Sequence, residues 1–292
     1  MWEVEMNADT IRSVKKGFNF VLKCIIPYNV VVLKYQLMAK KQQAIRQERI
    51  DNVKAQPQTK PRTDFSYQEA IRFLSTTLNR EPEQVQEGCI AETSLEYCTE
   101  FLVQRAHGKP MVGLHVGNFV GLSLAYLTDA ILRIHPASVM ISIDPNIPHR
   151  GIENPLSIVT ALLTHFGLQE HNLILTGYTL EKSVSNDGYI FNDYDPVSRF
   201  QEEQSCEQQL ERLACLMPGG FDFCMIDGNH EENYLRREVE LMAGLLKADG
   251  LMFLDDVTPQ WEGVANVFHH FDHEHYEKLG TDWRVGVIRK KG

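Results

Sequence analysis

Two stretches of the chain place acids and an imidazole where they could do chemistry. In "FDFCMIDGNHEENY", Phe221 to Tyr234, an apolar run stops abruptly at Asp227, Gly228, Asn229 and His230. In "LMFLDDV", Leu251 to Val257, a second apolar run stops at Asp255 and Asp256. If both runs are neighbouring buried strands, three carboxylates and one histidine arrive at a single edge. Like charges held that close raise one another's pKa unless a cation compensates. Hard oxygen donors of this kind suit Mg²⁺, Mn²⁺ or Ca²⁺. A lone Asp at a strand end is usually a turn cap; three together with His230 are more specific.

Two further runs end in residues suited to a nucleoside. "LHVGNFVGLS" carries Gly117 and Gly121 around a turn into a helical pattern, where glycine lets the backbone approach a ligand and the helix can offer N–H groups. Tight strand–helix packing explains two such glycines equally well. "MISIDPN" ends in Asp144, 27 residues after Gly117. An acid there commonly accepts hydrogen bonds from ribose hydroxyls, and Pro145 argues against a helix cap. The glycine turn with Asp144 points to an adenosine-type ligand. His149 and Arg150 follow as further cleft candidates.

The elements that must position these residues alternate. Ser66 with Glu69 starts a helix through about Leu78, and a second helix spans roughly Ser94 to His107. Strand Met111–Val116, helix Phe119–Leu132, strand Val139–Ile143, helix Leu156–Phe166 and strand Leu173–Leu175 follow. A polar loop, 177–200, holds Asp187, Asn192, Asp193 and Asp195 among Tyr189, Phe191 and Tyr194, and reads as a cover for a polyhydroxylated acceptor or as a structural excursion. Then come a helix near Cys206–Met217, strand Phe221–Ile226, helix Asn233–Lys247, strand Leu251–Leu254, a helix near Trp261–Phe271 and a strand around Trp283–Ile288. Short, nearly continuous apolar strands alternating with helices predict an α/β, doubly wound, mostly parallel sheet. Ligands of such sheets bind beyond the carboxyl ends of the strands. "HHFDHEHY", His269 to Tyr276, reads as a solvated helix terminus rather than a zinc site.

Charge divides the chain. Its net charge is −10, which argues against a general nucleic-acid binder, yet residues 1–62 hold 12 Lys and Arg against 5 acids. That is +7 on the leader and −17 on the remainder. The leader's "GFNFVLKCIIPYNVVVLKYQLMAKKQQ" reads as an interfacial segment on an anionic membrane, or as short helices packing on the main domain or a second subunit. "KAQPQTKPRTD", Lys54 to Asp64, reads as a linker, which sets a basic extension over 1–62 and a domain over 63–292. Six cysteines without a C-x-x-C pair fit a reducing compartment, and no run is apolar enough to span a membrane. A cytoplasmic protein, membrane-peripheral through its leader, is expected.

With these residues in place the chain resembles the class I S-adenosylmethionine-dependent methyltransferases over about Met111 to Lys290. "IDGNH…NYL…LLKADGLMFLDDV" is similar to a small O-methyltransferase group whose fourth strand ends in "IDG-x-H" and whose fifth ends in an acidic pair. The catechol, caffeoyl-coenzyme A and macrolide-sugar O-methyltransferases are also similar. The resemblance implies a seven-stranded Rossmann-like sheet and an S-adenosylmethionine site at His115, Gly117, Gly121, Ser123, Asp144 and Asp227. It implies a divalent metal, Mg²⁺ for preference, on Asp227, Asp255 and Asp256, and His230 as base. The expected substrate is a hydroxyl of a sugar or other small metabolite. The sequence departs from the family at His115, where an acid usually helps hold the cofactor. That departure also fits a non-catalytic, methyltransferase-like scaffold subunit.

Overall fold

The computed structural model describes residues 64–180 and 217–292, apart from 273, together with Leu210, Leu213 and Cys215. All of them lie in one compact unit, Thr59–Gly292. The leader and the acidic–aromatic loop lie outside the described residues.

Three helices precede the sheet: α1 (Tyr67–Leu78), α2 (Pro82–Gln86) and α3 (Glu92–Ala106). Ser66 caps α1 by accepting from the Glu69 N–H, and Asn79 closes it in a left-handed conformation. Then follow β1 (Val112–Val116), α4 (Leu122–Ile134), β2 (Val139–Asp144), α5 (Pro155–His165) and β3 (Asn172–Thr176). The second half runs β4 (Phe221–Ile226), α6 (Glu232–Leu245), β5 (Leu246–Leu254), α7 (Glu262–His270), β6 (Tyr276–Thr281) and β7 (Gly286–Lys290).

These strands form one seven-stranded sheet in the order β3-β2-β1-β4-β5-β7-β6. The first five are parallel; β7 runs antiparallel to β5 and to β6. Side-chain alternation divides the buried strand residues between two cores. Phe223, Met225 and Phe253 face the layer of α1, α3, α4 and α5, whereas Cys224, Ile226 and Leu254 face α6 and α7. A fully buried Phe contributes about 1.5–3 kcal/mol, so a sheet covered on both faces is strongly fixed in register.

That register builds the site. Val116 pairs with both Ile143 and Ile226, and Ile226 pairs with Leu254. The residues that follow, Gly117, Asp144, Asp227 and Asp255, therefore stand in one row along the carboxyl edge. The chain reverses its winding between β1 and β4, which is where such sheets open a crevice.

Candidate active site

A cavity of about 350 Å³ opens at this edge, lined among others by Gly117, Asp144, Thr179, Asp227, His230 and Asp256. Gly117 adopts φ +85°, and a Cβ there would fall 1.7 Å from the carbonyl oxygen of Asp227. Only glycine lets the β1 turn pass against the end of β4. Gly121 has a different task. It starts α4 at φ +84°, its missing Cβ faces Val159 on α5, and it does not line the cavity.

Asp144 reaches back to that turn. One carboxylate oxygen accepts from the Asn118 N–H and, at 3.4 Å, from the Phe119 N–H; the other accepts from the Asn146 N–H at 2.6 Å. Burial raises the Asp144 pKa, and these amides oppose the rise. A carboxylate offers about four acceptor positions, so these three donors leave one.

His115 and Ser123 do not line the cavity. The imidazole is fully buried, with Nε2 3.0 Å from Ser123 Oγ, and Nδ1 has no hydrogen-bond partner among the described residues. Burial holds its pKa at about 4, so the ring is neutral. The resemblance implies both residues as cofactor ligands; here His115 points from β1 into the α4 layer and meets Ser123.

The acidic edge is also arranged differently from the implied metal set. Asp255 has a fully buried side chain, and both its oxygens accept from Arg284, at 2.7 Å from Nε and 2.5 Å from Nη2. Arg284 also lies 3.3 Å from Asp256 and donates to the Cys89 carbonyl. A bidentate guanidinium leaves Asp255 little capacity for a metal. The cluster whose donor atoms lie within 4.8 Å of one another is Asp227, His230 and Asp256.

Within that cluster, burial first and the charge of Asp255 second push Asp227 well above the usual carboxylate range, with Arg284 opposing. Burial disfavours ionised Asp256 too, but His230 and Arg284 outweigh it and hold this acid below its usual value. His230 stacks on Trp261, ring centroids 4.4 Å apart. Its Nε2 is 3.3 Å from Asp256 and 4.0 Å from Asp227. Those are ion-pair separations without hydrogen-bond alignment, so this buried nitrogen has no hydrogen-bond partner among the described residues.

Three residues of the cavity carry no sequence signature. Arg284 precedes the last strand, 29 residues from Asp255. Trp261 is a lone aromatic ahead of α7. Glu238 sits on α6 one position from the apolar face that ends in Val239 and Met242, a break in pattern that marks it only in hindsight. His149 and Arg150 do line the cavity. Of the late histidines, His275 pairs with Asp272 at 2.6 Å, and none among the described residues joins a metal-like cluster.

Comparison with known proteins bears on the domain and its fold. A methyltransferase-domain family model matches residues 114–257. No curated protein matches the chain by sequence. Among solved structures, the O-methyltransferase TomG from Streptomyces achromogenes, involved in tomaymycin synthesis and in complex with SAM, is 12% identical; it covers 78% of this chain and 91% of its own, at a TM-score of 0.51. SAH-bound methyltransferase PaMTH1 from Podospora anserina is 15% identical, covering 84% and 96%, also at 0.51. An O-methyltransferase from Bacillus cereus in complex with SAH is 10% identical, covering 77% and 90%, at 0.50. Identities this low speak to the fold alone, and the family match speaks to the domain. Residues 114–257 are accordingly similar to a methyltransferase domain, and the described chain carries the seven-stranded Rossmann-like fold of the solved methyltransferases it resembles.

Proposed function

We propose that the protein transfers a methyl group from S-adenosylmethionine to a hydroxyl of a small polyhydroxylated or otherwise hydroxylated metabolite, with help from a divalent cation. The observation that carries this reading is the convergence of Asp227, His230 and Asp256 beside the Gly117 turn. The donor set suits the cation: Asp227, Asp255 and Asp256 against Arg284 leave a net charge of −2 when ionised. Mg²⁺ is commonly held by one or two carboxylates and otherwise by water and substrate. Asp227 and Asp256 would hold it, and Asp255 would stay with Arg284.

The cofactor, when bound, supplies an activated methyl on its sulfonium, and the cation favours the alkoxide of the acceptor. The residues do the rest. The Gly117 turn leaves space for a ligand against the strand ends, and Asp144 offers its remaining acceptor position to a ribose hydroxyl. Nε2 of His230 receives the acceptor proton, and Asp256 stabilises the imidazolium that forms. Trp261 fixes the ring plane by stacking.

Calorimetric titration with S-adenosylmethionine, followed by methyl-transfer assays over a panel of sugars and phenols, tests the reading. Binding, turnover and loss of turnover in Asp227→Ala are expected. No binding at millimolar cofactor would sink the reading altogether, while binding without turnover on any acceptor would favour a scaffold role.

A further inference from the structure

Arg150 lines the cavity, and the reaction above gives its side chain nothing to do. It stands at the tip of a two-residue turn after β2. His149 donates to the Ile152 carbonyl at 3.1 Å, and Ile152 donates back to the His149 carbonyl at 2.9 Å. Both central residues are left-handed, Arg150 at φ +48° and Gly151 at φ +71°, the pattern of a type I′ turn. Glycine, asparagine and aspartate suit such positions. A long side chain there is strained, and strain of this kind gathers at binding sites. The turn is also clamped. Arg80, just past the end of α1, donates Nη2 to the Arg150 carbonyl at 2.7 Å, and Gly151 leaves room for that donor. The His149 ring packs edge-to-face with Phe119, centroids 5.5 Å apart.

This turn fixes where a guanidinium starts. Among the described residues, the Arg150 side chain makes no hydrogen bond or ion pair. Arg284, the other arginine of the lining, is engaged by Asp255, Asp256 and the Cys89 carbonyl. The Arg150 charge is felt on the catalytic side: His230 and Arg284 do most to lower the Asp256 pKa against burial, and Arg150 adds to them. Asp144 and Glu238, which line the same cavity, are raised by burial and held back by hydrogen bonds alone. A planar guanidinium with open donors matches a carboxylate or a phosphate through two parallel hydrogen bonds. The acceptor's hydroxyl must come to His230 and Asp256, so another group of the same small molecule meets Arg150. We infer that Arg150 is the specificity residue for the acceptor: its guanidinium binds an oxyanion, carboxylate or phosphate, on the hydroxylated metabolite. This deepens the proposed function and rests on it. The substrate class narrows to sugar acids, sugar phosphates and hydroxy acids.

The experiment titrates three probes, glucose, glucuronate and glucose 6-phosphate, into the full chain saturated with S-adenosylhomocysteine and Mg²⁺, by calorimetry at pH 7.5. The wild type should bind one or both anions tenfold or more tightly than glucose, roughly what one hydrogen bond to a charged group supplies. The anion preferred names the source of the charge. Arg150→Asn should bring the ratio within about twofold and unfold at the same temperature as wild type or higher, because asparagine tolerates the left-handed turn. Arg150→Gln, long and polar but uncharged, should lose the preference as well, and decides if the first variant does not fold. Equal binding of the three probes by the wild type, undetectable binding included, overturns this inference alone. A preference kept in a folded variant overturns it too, since the cation would then hold the anion. A tenfold loss of S-adenosylhomocysteine affinity in Arg150→Asn, with the preference unchanged, would give the guanidinium to the cofactor's own carboxylate and overturn it. Failure of the wild type to bind S-adenosylhomocysteine overturns both this inference and the proposed function.

Discussion

His230 and Glu238 both line the cavity, but their surroundings differ. Nε2 of His230 faces two carboxylates at 3.3 and 4.0 Å and has no hydrogen-bond partner among the described residues. Replacing it with alanine should lower kcat by about a hundredfold while S-adenosylmethionine affinity holds, as loss of a general base does. Mn²⁺ affinity, read by electron paramagnetic resonance, should survive in His230→Ala and disappear in Asp227→Asn. Loss of Mn²⁺ from the histidine variant would make His230 a ligand and leave the base unassigned. Glu238 yields a pH prediction. Its folded pKa, about 7, exceeds the ordinary value of 4.5, so the folded chain holds this proton more tightly than the unfolded chain. Ionisation therefore costs stability: the penalty is absent below about 4.5 and complete above about 7. Glu238→Gln removes it. Urea unfolding should show the variant gaining about 2 kcal/mol more over wild type at pH 8 than at pH 5. Equal effects at the two pH values would mean that the carboxyl is not held in this way.

At the scale of elements, the acidic edge depends on a strap between β5 and the approach to β7. Arg284 holds both oxygens of Asp255 and reaches Asp256 and the Cys89 carbonyl ahead of α3. Arg284→Met should cost about 3–5 kcal/mol, because a fully buried carboxylate loses its partner. Adding Asp255→Leu should restore most of that loss, since neither charge then remains. A double variant as unstable as the single would show that the Cys89 contact, rather than the ion pair, holds the strap. This strap also marks the limit of what the sequence tells. The strands β1, β2, β4 and β5 are legible because each is an apolar run buried on both faces, and the acids at their ends follow from topology. The strand β6 is not legible, since its partly buried residues at the sheet margin carry no apolar run. The roles of Asp255 and His115 are not legible either. A strand position fixes where a side chain starts, but the partner that turns it comes from another element, Arg284 before β7 in one case and Ser123 on α4 in the other.

At the scale of the whole molecule, the question is whether the basic leader contributes to the site. The described residues of the cavity, of the acidic cluster and of both cores all lie in the unit Thr59–Gly292. Its first helix, α1, buries Tyr67, Ala70, Ile71 and Leu74 in the layer shared with α4 and α5, so the described fold closes on itself. No helix among the described residues is long and apolar enough to cross a membrane. The leader's +7 charge and interrupted apolar run suit an anionic lipid surface, where each Lys or Arg contributes about 1 kcal/mol at low screening. A chain of residues 59–292 should therefore bind S-adenosylhomocysteine with the affinity of the full chain and unfold in one cooperative transition. Only the full chain should sediment with vesicles containing phosphatidylserine, and salt should release it, because the attraction is screened within about 8 Å at physiological ionic strength. If the truncated chain failed to fold, residues 1–58 would belong to the domain's own core or to a dimer interface. If both chains sedimented equally, the lipid contact would have to be sought on residues 59–292, whose share of the net charge is −15.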